Sequence, residues 1–175
     1  MTELGPFRLP YDHRMTFVSL INAGYYSYVS PKVTQLREVV ESAKDRASLI
    51  AAKRGPTVRG GDPYRTADPQ GDTGIDTIDV GMVNFWRELD PKAAPAFADL
   101  LGKRLARPEE LLAFVATRPA LPDGLWVLAI GDIDIIDGRL PALGLRVENG
   151  GKKYLLANRI CRCAFRHSSV LLASP

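Results

Sequence analysis

The sequence predicts an α+β fold, with a helical N-terminal and central region followed by a C-terminal antiparallel β-meander of four or five strands. Three observations predict it. Residues 31–54 carry one apolar stripe at alternating three- and four-residue spacing. Residues 82–115 hold three more apolar patches of helical spacing, set off by Asp90-Pro91, Pro108 and Arg118-Pro119. From Leu125 onward the pattern changes to short apolar runs separated by turn residues. Strands joined by short turns pair antiparallel, whereas parallel strands need long crossovers.

Taken in order, residues 15–21 (MTFVSLI) read as a short strand that can join the sheet, and Tyr25, Tyr26 and Tyr28 follow as an aromatic stretch. Ser30-Pro31 is a helix start, with serine as N-cap and proline at the first helical position. Val33, Leu36, Val40, Ala43, Ala47 and Ile50 form the stripe of the helix over 31–54, which Gly55-Pro56 ends. Residues 55–79 are a long loop dominated by glycine, proline and aspartate, of a length that compact domains seldom leave unstructured without a use for it. Helical patches follow around Met82, Val83, Phe85, Trp86 and Leu89, then around Phe97, Leu100, Leu101 and Leu105. Pro108-Glu109-Glu110 opens a fourth helix, its acidic first turn suited to the helix dipole. Residues 125–131 (LWVLAIG) read as a buried strand. Ala142–Glu148 and Lys152–Asn158 flank Asn149-Gly150-Gly151, a tight hairpin turn. Residues 159–167 and 170–173 add the last strands.

The chain of 175 residues fits one domain, with 55–79 as its loop; the alternative is a helical arm, 1–54, and a helix-plus-sheet body, 80–175. With 46% hydrophobic and 25% charged residues, wholesale disorder is excluded. No run of eighteen apolar residues exists and the N-terminus has no apolar signal-peptide core, so the expected location is cytoplasmic, without membrane association. Net charge is +3, too mild to identify a polyanion binder. The charge is segregated: nine basic and five acidic residues in 1–61, two and seven in 62–91, seven and four in 125–175.

Most local signatures of catalysis are missing. Gly102-Lys103 lacks the first glycine and the Ser/Thr of a phosphate loop, and no G-x-G-x-x-G occurs. Cys163 and His167 in one strand would lie roughly 13 Å apart, beyond proton-transfer reach. Cys161 and Cys163, roughly 6.6 Å apart in an extended segment, are poorly placed for a disulfide. Their one-residue spacing also does not match structural zinc, even with His167 and His13 as further ligands. On a strand, Cys161, Cys163, Phe165 and His167 would share one face, and Arg162, Ala164 and Arg166 the other. Asp132 and Asp134, with Asp72 from the long loop, are the candidate ligands for a divalent cation, because hard cations take several oxygens; aspartate is equally a turn residue. Arg146, Lys152, Lys153, Arg159, Arg162 and Arg166 make a basic C-terminal surface that would attract phosphates, with no RNP-like aromatic signature beside it.

These readings converge on a non-catalytic binding or assembly subunit of a multi-component complex, with no cofactor. Its expected partner is protein, as homo- or hetero-oligomer, met by the helix 31–54 through Val33, Leu36, Val40, Ala43, Ala47 and Ile50. Two alternatives are a small cation-dependent enzyme using Asp72, Asp132 and Asp134, and a nucleic-acid-binding protein using the basic C-terminal face.

Overall fold

The computed structural model describes residues 2–12, 14–38, 75–131, 140–160 and 164–175. Its elements are β1 (Thr2–Asp12), α1 (Phe17–Ala23), β2 (Tyr28–Val29), α2 (32–38) and β3 (Ile75–Asn84). A 3-10 turn (Pro91–Ala93) leads into α3 (Ala94–Leu100), then β4 (Arg104–Leu105) and α4 (Pro108–Ala116). The remainder is β5 (Trp126–Ala129), β6 (Leu140–Glu148), β7 (Lys152–Ile160), α5 (Ala164–His167) and β8 (Ser169–Ala173).

The strands form one mixed sheet of eight, in the order β1-β3-β8-β5-β6-β7-β2, with β4 paired to β8 off that path. The predicted α+β arrangement of helices first and a meander last is therefore corrected to a mixed α/β fold in which strands dominate. β5-β6-β7 is antiparallel as expected, but β8 runs back into the middle, antiparallel to β3 and parallel to β5. Such pairing joins residues far apart in the chain, and no local turn signal encodes it. Residues 2–38 supply two strands and two helices to the same sheet and cores as the rest.

Three more readings are corrected. Residues 15–21 are not a strand: Thr16 caps α1, its Oγ1 accepting the Ser19 N–H at 3.1 Å, and Phe17 and Leu20 turn inward at helical spacing. A short apolar run does not distinguish the two states. The patch starting at Met82 belongs to a strand, because Ile78, Val80 and Met82 alternate onto one face, and 75–79 of the supposed loop begin it. Residues 159–167 are not one strand, since β7 ends at Ile160 and 164–167 form a helical turn. β1 had no counterpart in the sequence reading. Its Phe7, Leu9 and Tyr11 alternate inward, and its prolines are tolerated because it is an edge strand paired on one side only.

Helices cover both faces of the sheet. On the first, α1, α2 and α4 pack over Val80, Met82, Val127, Ala129, Leu143, Leu145, Leu155 and Leu171. On the second, the 3-10 turn, α3 and α5 pack over Val83, Leu128, Ile130, Val170 and Leu172. β5 and β8 are buried on both sides, which is why each reads as an unbroken apolar run. β5 stops where β4 takes over the edge of β8: Ala106 N–H donates to Leu171 O (3.0 Å) and Gly131 N–H to Ala106 O (2.8 Å). A Cβ on residue 131 would sit 2.5 Å from Leu105 O, so the crossing requires glycine there.

Candidate functional site

Two constellations of charged and aromatic side chains stand out, one buried and one open. The buried one lies at the start of α4, a helix enclosed almost all round. Glu110, 1% exposed, receives Arg104 in a two-pronged pair at 2.6 and 2.9 Å, and its Oε2 also accepts the Arg107 N–H at 2.8 Å. Glu109 beside it is buried as well. The Tyr11 hydroxyl is pushed up to about 12, first by burial, then by the charges of Glu109 and Glu110, with Arg107 and Arg104 opposing. Arg104 thus answers Glu110, and a phenol is kept protonated beside them.

The open constellation lies on the hairpin β6–β7 and its neighbours. Cross-strand partners project from the same face of a sheet. Trp126 of β5 pairs with Arg146 of β6, Arg146 with Tyr154 of β7, and Tyr154 with Tyr28 of β2, placing an aromatic-arginine-aromatic row across adjacent strands with Tyr28 at the edge. The apolar cover of the second face reaches Ala142 and Ile160. Toward the hairpin turn that face is open: Arg146 and Lys152 are exposed, and Trp126, Tyr154 and Leu156 are half-buried. Gly144 lets the indole lie flat on the sheet, since a Cβ there would come within 3.1 Å of Trp126 Nε1. That indole N–H is buried with no hydrogen-bond partner among the described residues. Arg146 is steadied by an ion pair with Glu148, two residues along the same face.

The basic residues singled out in sequence divide between faces. Arg146 and Lys152 share the open side, and Arg166 is exposed on α5, which packs on that same second face. Lys153 points the other way, with Leu155 and Ala157 of the first core, because neighbouring strand residues alternate. Arg159 lies in β7 opposite Pro141, and Arg162 lies outside the described residues. Of the helical stripe, Val33 and Leu36 are buried in the chain's own first core, while Val40, Ala43, Ala47 and Ile50 lie outside the described residues. Asp72, Asp132, Asp134, Cys161, Cys163 and His13 lie outside them too. His167 ends the α5 turn, exposed. Among the described residues no three His, Cys, Asp or Glu gather as a metal site.

Sequence reasoning missed Trp126 and Tyr154, because each belongs to a different strand and only register brings them beside Arg146. The available signal was the half-buried alternation of Tyr154 and Leu156 in the hairpin. No protein-family model, curated protein or solved structure matches the chain. No helix among the described residues is long and apolar enough to cross a membrane.

Proposed function

We propose that the protein is a binding module that takes single-stranded nucleic acid across the open face of β5, β6 and β7. The observation that carries this reading is the Trp126–Arg146–Tyr154 row. Single strands are held by aromatic rings that stack on unpaired bases, about 1–3 kcal/mol per base, combined with cations that follow the backbone. Adjacent strands are about 4.8 Å apart, so the Trp126 and Tyr154 backbones stand about 10 Å from each other with Arg146 between them. Lys152 and Arg166 add positive charge on the same side. A duplex presents no unstacked bases to such a platform, so preference for single strands is expected.

The test is titration of the full chain, in a Trp86→Phe background, with short single-stranded DNA and RNA while Trp126 fluorescence is followed. Quenching is expected, with affinity falling as salt rises at a log–log slope of about −2, as neutralising about three phosphates of a single strand requires. Trp126→Ala, followed by the anisotropy of a labelled strand because it removes the reporter ring, and Arg146→Gln should each weaken binding about ten-fold. Absence of quenching at low salt, or duplex binding as tight as single-strand binding, overturns the reading.

A further inference from the structure

The first face of the same hairpin carries a second feature, made by residues from three separate segments. Arg118 follows the end of α4, its N–H donating to Val115 O at 3.0 Å, and Tyr25 follows the end of α1. Both are held in the left-handed backbone region, Tyr25 at φ 51 and Arg118 at φ 56. Bulky side chains rarely adopt that conformation, and residues held there gather at ligand clamps and functional turns. The two meet face to face: the Arg118 guanidinium carbon lies 4.2 Å from the centre of the Tyr25 ring. The same 25–28 segment is tied to β7, because Ser27 N–H donates to Lys153 O at 2.8 Å.

Lys153 projects from this face, and its charge is poorly accommodated. Burial, and then the neighbouring charge of Arg118, pull the ammonium pKa down from its ordinary value, with no carboxylate among the described residues acting to restore it. Two described carboxylates near the hairpin turn are engaged elsewhere. Asp123 accepts the N–H groups of Gly150 and Gly151, both at 3.0 Å, and Glu148 is on the opposite face with Arg146. Arg118, oriented by the Tyr25 ring, and Lys153, whose backbone holds the same 25–28 segment, therefore stand on one face without a described carboxylate acting on the lysine. An arginine fork with a lysine point charge is the pairing that recognises tetrahedral oxyanions, and stacking on a ring leaves the edge N–H groups of the guanidinium available.

We propose that Arg118 and Lys153, with Tyr25 fixing the guanidinium plane, form a binding site for a phosphoryl group. The site lies across the sheet from the open aromatic row and stands without it. Its ligand chemistry is shared by free phosphate and by the terminal phosphate of an oligonucleotide.

The experiment is a titration of the full chain with inorganic phosphate and pyrophosphate, followed by isothermal calorimetry and thermal melting, against sodium chloride of matched ionic strength. Phosphate-specific binding and a raised melting temperature are expected. Arg118→Gln and Lys153→Gln should each weaken that binding about ten-fold, as loss of a charge-assisted contact does. In chloride alone both variants should melt at or above the wild-type temperature, since each relieves a like-charge contact. Trp126→Ala should leave phosphate binding intact, which separates this proposal from the nucleic-acid reading. Oligonucleotides with and without a 5′-phosphate then distinguish the sources. Tighter binding of the phosphorylated strand, lost in both variants, assigns the site to strand ends; equal binding of the two strands with phosphate still bound assigns it to free phosphate. No phosphate effect beyond chloride, or binding retained in both variants, overturns the proposal.

Discussion

The start of α4 and the open face of the β6–β7 hairpin use the same residue types for opposite ends. At α4, Arg104 and Glu110 are joined at 2.6 and 2.9 Å, with the Glu110 side chain only 2% exposed, and a backbone N–H takes up a further lone pair. At the hairpin, Arg146 is 51% exposed and its pair with Glu148 is washed by solvent. Exposed pairs contribute little to stability, whereas removing one member of a buried pair is costly because the other charge stays behind. The first region is therefore bound up in the fold, and the second keeps its charge and rings available to a ligand.

That contrast makes a graded set of predictions, read as chemical denaturation of purified variants unless stated. Glu110→Ala should destabilise most, by about 3 kcal/mol, since it strands Arg104 and the Arg107 N–H. Combining it with Arg104→Met should recover more than half of that loss in a double-mutant cycle; a loss equal to the sum of the single ones would show that the two side chains do not act together. Gly131→Ala should cost about 2–3 kcal/mol, because the new Cβ meets the backbone of the strand that carries Arg104. A near-neutral result would mean that the crossing of β4 and β5 is looser than its geometry.

Tyr11 supplies a pH signature for the buried region. Its hydroxyl is pushed up from 10 to about 12 in the fold, so its contribution is fully present below pH 10 and lost as pH rises through 12. Wild type should lose about 1–2 kcal/mol more than Tyr11→Phe between pH 9 and pH 12. Identical alkaline profiles would place the phenol in contact with water. At the hairpin, Arg146→Gln should change stability by no more than about 0.5 kcal/mol at neutral pH while weakening oligonucleotide binding. A stability loss comparable to that of Glu110→Ala would erase the distinction between the two regions.

How far the molecule could be foreseen varies along the chain for the same physical reasons. The hairpin of 142–148 and 152–158 is legible from its turn, and Asn149, Gly150 and Gly151 all adopt positive φ, as such a turn needs. α4 was read from Pro108 and its two glutamates, and Glu110 completes the cap by accepting the Arg107 N–H. By contrast, 15–21 and the patch from Met82 are short apolar stretches whose helix or strand state depends on what packs against them, so the pattern points to a strand where α1 forms and to a helix where β3 ends, while 75–79 read as loop. The proline-bearing β1 becomes a strand only because β3 lies alongside. The candidate site divides the same way: Arg146 and Lys152 are legible as basic C-terminal residues, but Trp126 comes from another segment, Tyr154 meets Arg146 only through the register of β6 and β7, and Lys153 faces away.

Local chemistry in the amino-acid string was enough to specify the start of α4, the tight turn, the burial of β5 and the mild, segregated charge, because each depends on residues a few positions apart. Sheet order, the return of β8 between β3 and β5, and the row of Trp126, Arg146 and Tyr154 were settled by pairing across long stretches of chain. There the free energy comes from burying two faces of a sheet at once, and that surface exists only when distant segments meet.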